Sequence, residues 1–301
     1  MKFLNQLLQS AISIIKLLIK SNLKLISNRN FKPTSDTLII LGNGPSGIND
    51  LILCKQKYNQ TNFMAVNMFA STTYFQTLKP NFYLVSDHAF FTFTQSEFEL
   101  VNSNDVQNIH QELKQYQILI NQVWHNILNS DWEMTMLIPN IYKNSFIVKF
   151  AQSRKIKFRF FNYVVIKGFP SFENFIYKLN WGSPQCQNVI NNCIFESIQM
   201  NFKNIYLLGV ENNFHINTFV DDDNMLKQKD DHFYEVKNKV VPIAHANGTP
   251  VKIHEFFLSL HKAFFAHHRL QQYAQFKNVS IYNATKGSFI DAYPRKEIDF
   301  I

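Results

Sequence analysis

The sequence predicts a Rossmann-like α/β fold, a mainly parallel sheet with helices on both faces. Three observations predict it. Short apolar strand patterns alternate along the chain with longer helical ones, as a parallel sheet with crossover helices requires. Polar residues gather where those strands end, and the carboxyl ends of parallel strands are where such sheets bind ligands. Of the 301 residues, 46% are hydrophobic and 17% charged, a balance that supports a full buried core.

Residues 1–30 stand apart. Residues 1–35 carry Lys2, Lys16, Lys20, Lys24, Arg29 and Lys32 with no acidic residue, so they hold six of the eight net positive charges. The rest of the chain is close to neutral, which argues against a broad nucleic-acid-binding face. Read as a helix, residues 3–26 place their lysines and amides on one stripe and Leu4, Leu7, Leu8, Ala11, Ile12, Ile15, Leu18, Ile19 and Leu23 on the other. Three lysines within nine positions make a membrane-spanning helix costly. No small-residue cleavage site follows, unlike a secretory signal. The expectation is an amphipathic helix lying on the inner face of the cytoplasmic membrane; packing on the protein's own core, or on a second subunit, is the alternative. Three cysteines, Cys54, Cys186 and Cys193, without a CxxC pair suit a reducing, cytoplasmic compartment.

A linker from Arg29 to Asp36, marked by Pro33, leads to a buried strand at Thr37–Leu41. Further strands are predicted at 62–66, 82–85, 135–138, 157–161, 204–208 and 279–282. Helices are predicted over 185–200 and 252–275. One domain therefore spans 37–292, with 90–130 and the polar loop 211–250 as insertions or lids and 293–301 as a tail. Asn43, Asn67, Asp87 and Glu211 fall at predicted strand ends.

The run Gly42-Asn43-Gly44-Pro45-Ser46-Gly47 follows the first strand. Its small residues let backbone amides approach an anionic ligand, and Asn43 offers both a donor and an acceptor to a base or ribose. It lacks the lysine of a Walker A loop and does not match GxGxxG. An ordinary strand-to-helix turn would look the same in isolation.

Leu-Ile-Ile-Leu-Gly-Asn-Gly-Pro-Ser (38–46) resembles the opening strand and nucleotide loop of bacterial sialyltransferases of glycosyltransferase family 42. It also resembles the related Maf-type and MptE-like domains. Asn67 in Met-Ala-Val-Asn-Met-Phe and Asp87 in Leu-Val-Ser-Asp-His fall where the family has polar residues after its second and third strands. Phe-Lys-Asn-Ile-Tyr-Leu-Leu-Gly-Val-Glu (202–211) resembles the strand ending in Gly-x-Asp. Lys-Asp-Asp-His-Phe-Tyr (229–234) matches the segment with the catalytic histidine, here His232, and residues 279–288 resemble the closing strand and polar turn.

The resemblance implies a sialyltransferase-like, GT-A-variant enzyme that is inverting, metal-independent and without a cofactor. Its donor would be a CMP-activated sugar and its acceptor a surface glycan or lipid-linked oligosaccharide. Gly42, Asn43, Gly44, Pro45, Ser46 and Asn67 would cradle the nucleotide. His232 would take the acceptor proton, a role that suits an imidazole near neutral pH. His215 is a second candidate for base or phosphate donor, and either histidine is otherwise a surface-loop residue. The chain departs from the family where Asn212–Phe219 contains no tyrosine and Glu211 replaces aspartate. Asn213 and His215 are candidate replacement donors, or the sugar is Kdo or another nonulosonate.

Gly182-Ser183-Pro184 reads as a helix start with Ser183 at the N-cap, with a helix N-terminus facing the donor as the functional reading. Asp221-Asp222-Asp223 reads as a solvated acidic turn rather than a metal site, and His261, His267 and His268 as helix-face packing. A pterin diphosphokinase-like ATP- and Mg²⁺-dependent enzyme and an inactive nucleotide-binding scaffold are the competing functions. A homo-oligomer is compatible with the sequence.

Overall fold

A computed structural model describes residues 2–23, 31, 33–46, 61–92, 112–152, 156–229, 240–245 and 249–298. Seven strands form one parallel sheet: β1 (Thr37–Leu41), β2 (Asn62–Val66), β3 (Phe82–Leu84), β4 (Thr135–Pro139), β5 (Lys157–Phe161), β6 (Asn204–Leu208) and β10 (Ser280–Asn283). Their order is β10-β6-β1-β2-β3-β4-β5. The chain builds outward from β1 to β5, then returns to lay β6 on the other side of β1. That return makes the gap between β1 and β6 the topological switch point, where such sheets open a ligand crevice at their carboxyl ends.

Alternate residues of each strand serve opposite faces. In β1, Leu38 and Ile40 join a core with α6 (Val189–Gln199) and α7 (Ile253–Phe276), while Ile39 and Leu41 join a core with Trp124 of α3 (Glu112–Leu128). Burial on both faces explains why β1 and β2 read as continuous apolar runs. Helix α6 packs across β1, β2 and β3 and is covered by α7, so nearly every one of its residues is buried. Three more helices, α2 (Tyr74–Leu78), α4 (Phe146–Gln152) and α5 (Pro170–Lys178), complete the layers.

The region expected as a lid, 211–250, contains a small antiparallel sheet of β7 (Thr218–Val220), β8 (Leu226–Lys229) and β9 (Val240–Pro242). Its first turn is the aspartate run. The Asp221 carboxylate accepts from the amides of Asp223 and Met225 and pairs with Lys227 at 2.6 Å, while Asn224 takes the left-handed conformation that closes the turn. The expected tail is built into the body through residue 298. Tyr293 and Ile298 are buried, and the Arg295 guanidinium donates to the carbonyls of Thr285, Ser288 and Ile290.

Helix α1 (Lys2–Lys20) docks with its small and polar residues inward. Ser10, Ser13 and Leu17 are buried. Ser13 Oγ donates to the Lys167 carbonyl at 2.7 Å and accepts from the Lys167 amide at 2.9 Å, and the Phe169 amide donates to Ser10 Oγ at 3.2 Å. A Cβ on Gly168 would meet Ser10 Oγ at 2.1 Å, so glycine is what lets the helix approach. The helix thus does pack on the protein's own body, through its serine stripe, Leu17 in the core and Phe3 against Phe169, while most of its apolar side stays exposed.

Two buried ionisable groups make the fold testable. Arg159 of β5 donates to the Glu196 carboxylate of α6 at 3.2 Å, both side chains being nearly inaccessible. Arg159→Leu leaves that carboxylate unpaired and should cost about 3–5 kcal/mol in chemical denaturation. His267 is fully buried beside the Tyr293 hydroxyl at 3.1 Å, and burial pushes its pKa down to about 3. The unfolded chain takes up this proton near pH 6.5 while the folded chain does not, so the group's contribution is complete above that pH and is lost as pH falls. Stability should decline by up to about 1.4 kcal/mol per pH unit below 6.5. His267→Gln should flatten the pH 7 to 5 part of that curve.

Candidate functional site

The loops after β1 and β6 are laced together at the switch point. The Gly42 amide donates to the Leu208 carbonyl at 2.8 Å and the Gly44 amide to the Gly209 carbonyl at 2.9 Å. One step farther, the Ser46 amide donates to Glu211 Oε1 at 2.8 Å. The carboxylate lies so close under the loop that a Cβ on Gly44 would stand 1.4 Å from Glu211 Oε2, and one on Gly42 would stand 2.1 Å from the Gly209 carbonyl oxygen. Gly42 is required by the backbone it approaches, whereas at Gly44 the Glu211 side chain would have to shift. Glu211 is itself braced from the segment that follows β10, where the Phe289 amide donates to its carbonyl at 2.8 Å and Thr285 Oγ accepts from the neighbouring Val210 amide at 3.0 Å.

The loops after β1 and β2 meet on the other side. Asn43 turns its Nδ2 to the Val66 carbonyl at 3.4 Å, leaving Oδ1 inward. Asn67 adopts a left-handed backbone (φ 43°), a conformation asparagine tolerates better than most residues. It is held by the buried Tyr83 hydroxyl, which donates to the Asn67 carbonyl at 2.5 Å and accepts from the Ala70 amide at 2.8 Å. Burial pushes the Tyr83 phenol far up, which keeps it a neutral donor. Among the described residues, Asn43 Oδ1, Asn67 Oδ1 and Ser46 Oγ are buried polar atoms with no hydrogen-bond partner. Eight other buried polar atoms among the described residues share this state, Ser183 Oγ and Asn191 Nδ2 with them; these three are set apart by gathering in adjoining loops at the strand ends.

The polar shelf continues along the sheet. Ser86, beyond β3, accepts at 3.2 Å from Asn192 in the first turns of α6. The Asp87 carboxylate caps the turn that follows, accepting from the Ala89 amide at 3.0 Å, and raises the phenol of Tyr142 after burial has done so first. Tyr142 in turn meets His88 at 3.2 Å. Asp87 thus shapes the shelf by ordering a turn. Asn192 and Tyr142 carried no motif in the sequence; their signal is only that each follows a strand end or opens a helix.

Ser183 does not cap α6. Its backbone pairs with Val164 and Ile166, and its Oγ is buried without a partner. The cap is Asn188, whose side chain accepts from the Asn191 amide at 2.9 Å in a reciprocal capping box. Gly182 allows the close approach, since a Cβ there would meet Ile166 at 2.3 Å. Gly-Ser-Pro looked like a helix start, but Asn188 competes better because its partner asparagine stands three residues on. Asn213 accepts from the Ile216 amide through its carbonyl, closing the turn that carries His215. The His215 ring stands edge-on to Phe289 at 4.6 Å, which ties it to the segment bracing Glu211. Past Glu211 in the chain, Asn212 and Phe214 help line a pocket of about 180 Å³ whose wall is mainly apolar, with Ile243, Phe256 and Leu260, and carries the amides of Gln187, Asn188 and Gln228. His232 lies outside the described residues.

No family model matches the chain, and no curated protein does. Among solved structures it is similar to the Maf glycosyltransferase from Magnetospirillum magneticum AMB-1, at 10% sequence identity and a TM-score of 0.45. The match covers 87% of this chain and 33% of that one, so the chain spans about a third of that protein's length.

The wedge between Gly44 and Glu211 predicts a coupled pair. Gly44→Ala should destabilise by about 1–3 kcal/mol, as overpacking does. In a Glu211→Ala background the same change should cost much less, giving a coupling energy of about 1 kcal/mol or more in a double-mutant cycle.

Proposed function

We propose that the chain is a glycosyltransferase that moves a nonulosonate or related sugar from a CMP-activated donor to a glycan or lipid-linked acceptor. The observation that carries this reading is the group of buried, unpartnered polar atoms on Asn43, Ser46 and Asn67 at the carboxyl ends of β1 and β2. Two of the three are carbonyl oxygens that want donors. The exocyclic amine of cytosine and the hydroxyls of ribose are donors of that kind. In this reading Asn43, Ser46 and Asn67 take the nucleoside, and Glu211 keeps the loop in place from below.

The mainly apolar pocket lined by Asn212, Phe214 and Phe256 is assigned to a sugar, whose apolar faces suit aromatic rings and whose hydroxyls suit the few amides present. In the transfer step an acceptor hydroxyl attacks the anomeric carbon from the face opposite the phosphate. The bond between that carbon and the phosphate oxygen breaks, CMP departs with the electron pair, and configuration inverts. The acceptor proton passes to an imidazole, with His232 assigned as base and His215 as the alternative. Asn213 and His215 are assigned as hydrogen-bond donors to the departing phosphate, the place where charge builds. The cytoplasm, on the inner face of the membrane, is the proposed compartment.

CMP should raise the melting temperature in the presence of a chelator, and Asn43→Ala with Asn67→Ala should abolish that shift. A donor screen with CMP-Neu5Ac, CMP-Kdo and related sugars, read by CMP release, tests turnover. His232→Ala should retain the CMP shift and lose about 10²–10⁴-fold in rate, with His215→Ala reading the alternative base. Stabilisation only by ATP with Mg²⁺ would favour a diphosphokinase instead, and CMP binding without turnover of any donor would leave a nucleotide-binding scaffold.

A further inference from the structure

Helix α1 is turned the opposite way from a helix that seals a protein core. Its inward stripe, Ser10, Ser13 and Leu17 with Ser21 beyond, is hydroxyl-rich and bonded to the backbone of residues 167–169 and 181. Its outward side holds Leu4, Leu8, Ile15, Leu18 and Ile19, each 58–75% exposed, while the Phe3 ring rests against Phe169. An apolar face of this size on a monomer marks a contact surface. The lysines are not scattered: with 3.6 residues per turn, Lys2, Lys16 and Lys20 fall within about 40° of one another, along one edge of that face. No acidic residue lies anywhere in residues 1–35.

We infer that α1 seats the protein on an anionic lipid surface, lying flat with its apolar side among the acyl chains and its lysine edge at the headgroups. Charge complementarity selects this occupant over a second copy of the chain, because two copies of α1 would bring like charges together without an acidic partner on either helix. Length and composition alone would let the helix cross a membrane. The serine bonds forbid it: a helix held to the folded body at residues 10, 13, 17 and 21 cannot pass through a bilayer while docked. An interfacial helix needs only its apolar face buried about 5–10 Å deep.

The seat also orients the body. Just past α1, the Asn22 amide and carbonyl bond the Asn162 side chain at 2.9 and 3.0 Å, at the carboxyl end of β5. The cradle formed by Asn43 and Asn67 lies at the same end of the sheet. Taken with the proposed transferase activity, on which this last step alone rests, the seat brings a lipid-linked acceptor to the site's end of the molecule.

The test is flotation of the full chain with phosphatidylcholine vesicles, with and without phosphatidylglycerol, read without any activity measurement. The chain should float with the anionic vesicles, and Leu18→Ser with Ile19→Ser should lower the bound fraction by about tenfold or more. Both residues are exposed, so the thermal melt of this variant should match the parent and rule out unfolding. Lys16→Glu with Lys20→Glu should remove the preference for phosphatidylglycerol, and alkaline carbonate should strip the bound protein from membranes. Three results would overturn the inference: no flotation with either vesicle, resistance to carbonate, or a lipid-free dimer in light scattering that the Leu18 and Ile19 changes split. CMP binding by a chain that fails to float would sink the seat alone and leave the proposed activity standing.

Discussion

Parallel pairing of β1 with β2 on one side and β6 on the other is the constraint from which the rest follows. Successive crossovers carry the chain away from β1 as far as β5, and one long return places β6 back beside it. The loops that leave β1 and β6 must then diverge to opposite faces of the sheet or be tied together. Here the two are tied, by the Gly42 and Gly44 amides and by the Glu211 carboxylate. With that side closed, the loop after β1 leans on β2 instead, where Asn43 Nδ2 donates to the Val66 carbonyl.

Much of this architecture is legible in residue order. β1, β2 and β6 appear as largely apolar five-residue runs because a strand buried on both faces has no polar side to interrupt it; β5, at the sheet edge, carries Lys157 and Arg159, and the observed bounds of all four coincide with the predicted ones. Asn43 and Asn67 stand out because a polar residue directly after such a run has little reason to be there except to shape or bind. Other features leave no such trace. The first helical turn of α6 depends on which of several asparagines and serines wins the cap, and that choice is made by the pairing of residues 164–166 with Ser183, a contact between segments some twenty residues apart. The small sheet β7–β9 is exposed and its strands are only three or four residues long, too short for an alternation to show.

Helix α1 illustrates a subtler limit. Amphipathic periodicity identifies two faces but does not say which one meets the body. Folding usually buries the apolar one, because apolar area removed from water is the main favourable term. The serine side can win only because Lys167–Phe169 offers free backbone groups, and because Gly168 has no side chain to hold the helix away. That decision rests on atoms distant in sequence.

The carboxylate under Gly44 has a bearing on how the donor of the proposed reaction would sit. In dinucleotide-binding relatives of the architecture, the amides after the first strand receive a pyrophosphate. In this chain the Ser46 amide is already bonded to a fixed anion, Glu211, whose charge opposes any second phosphoryl group brought to the same loop. Under the proposed transferase reading, such a loop disfavours any phosphoryl group at its amides, so the single phosphate of the donor is assigned a place away from Ser46.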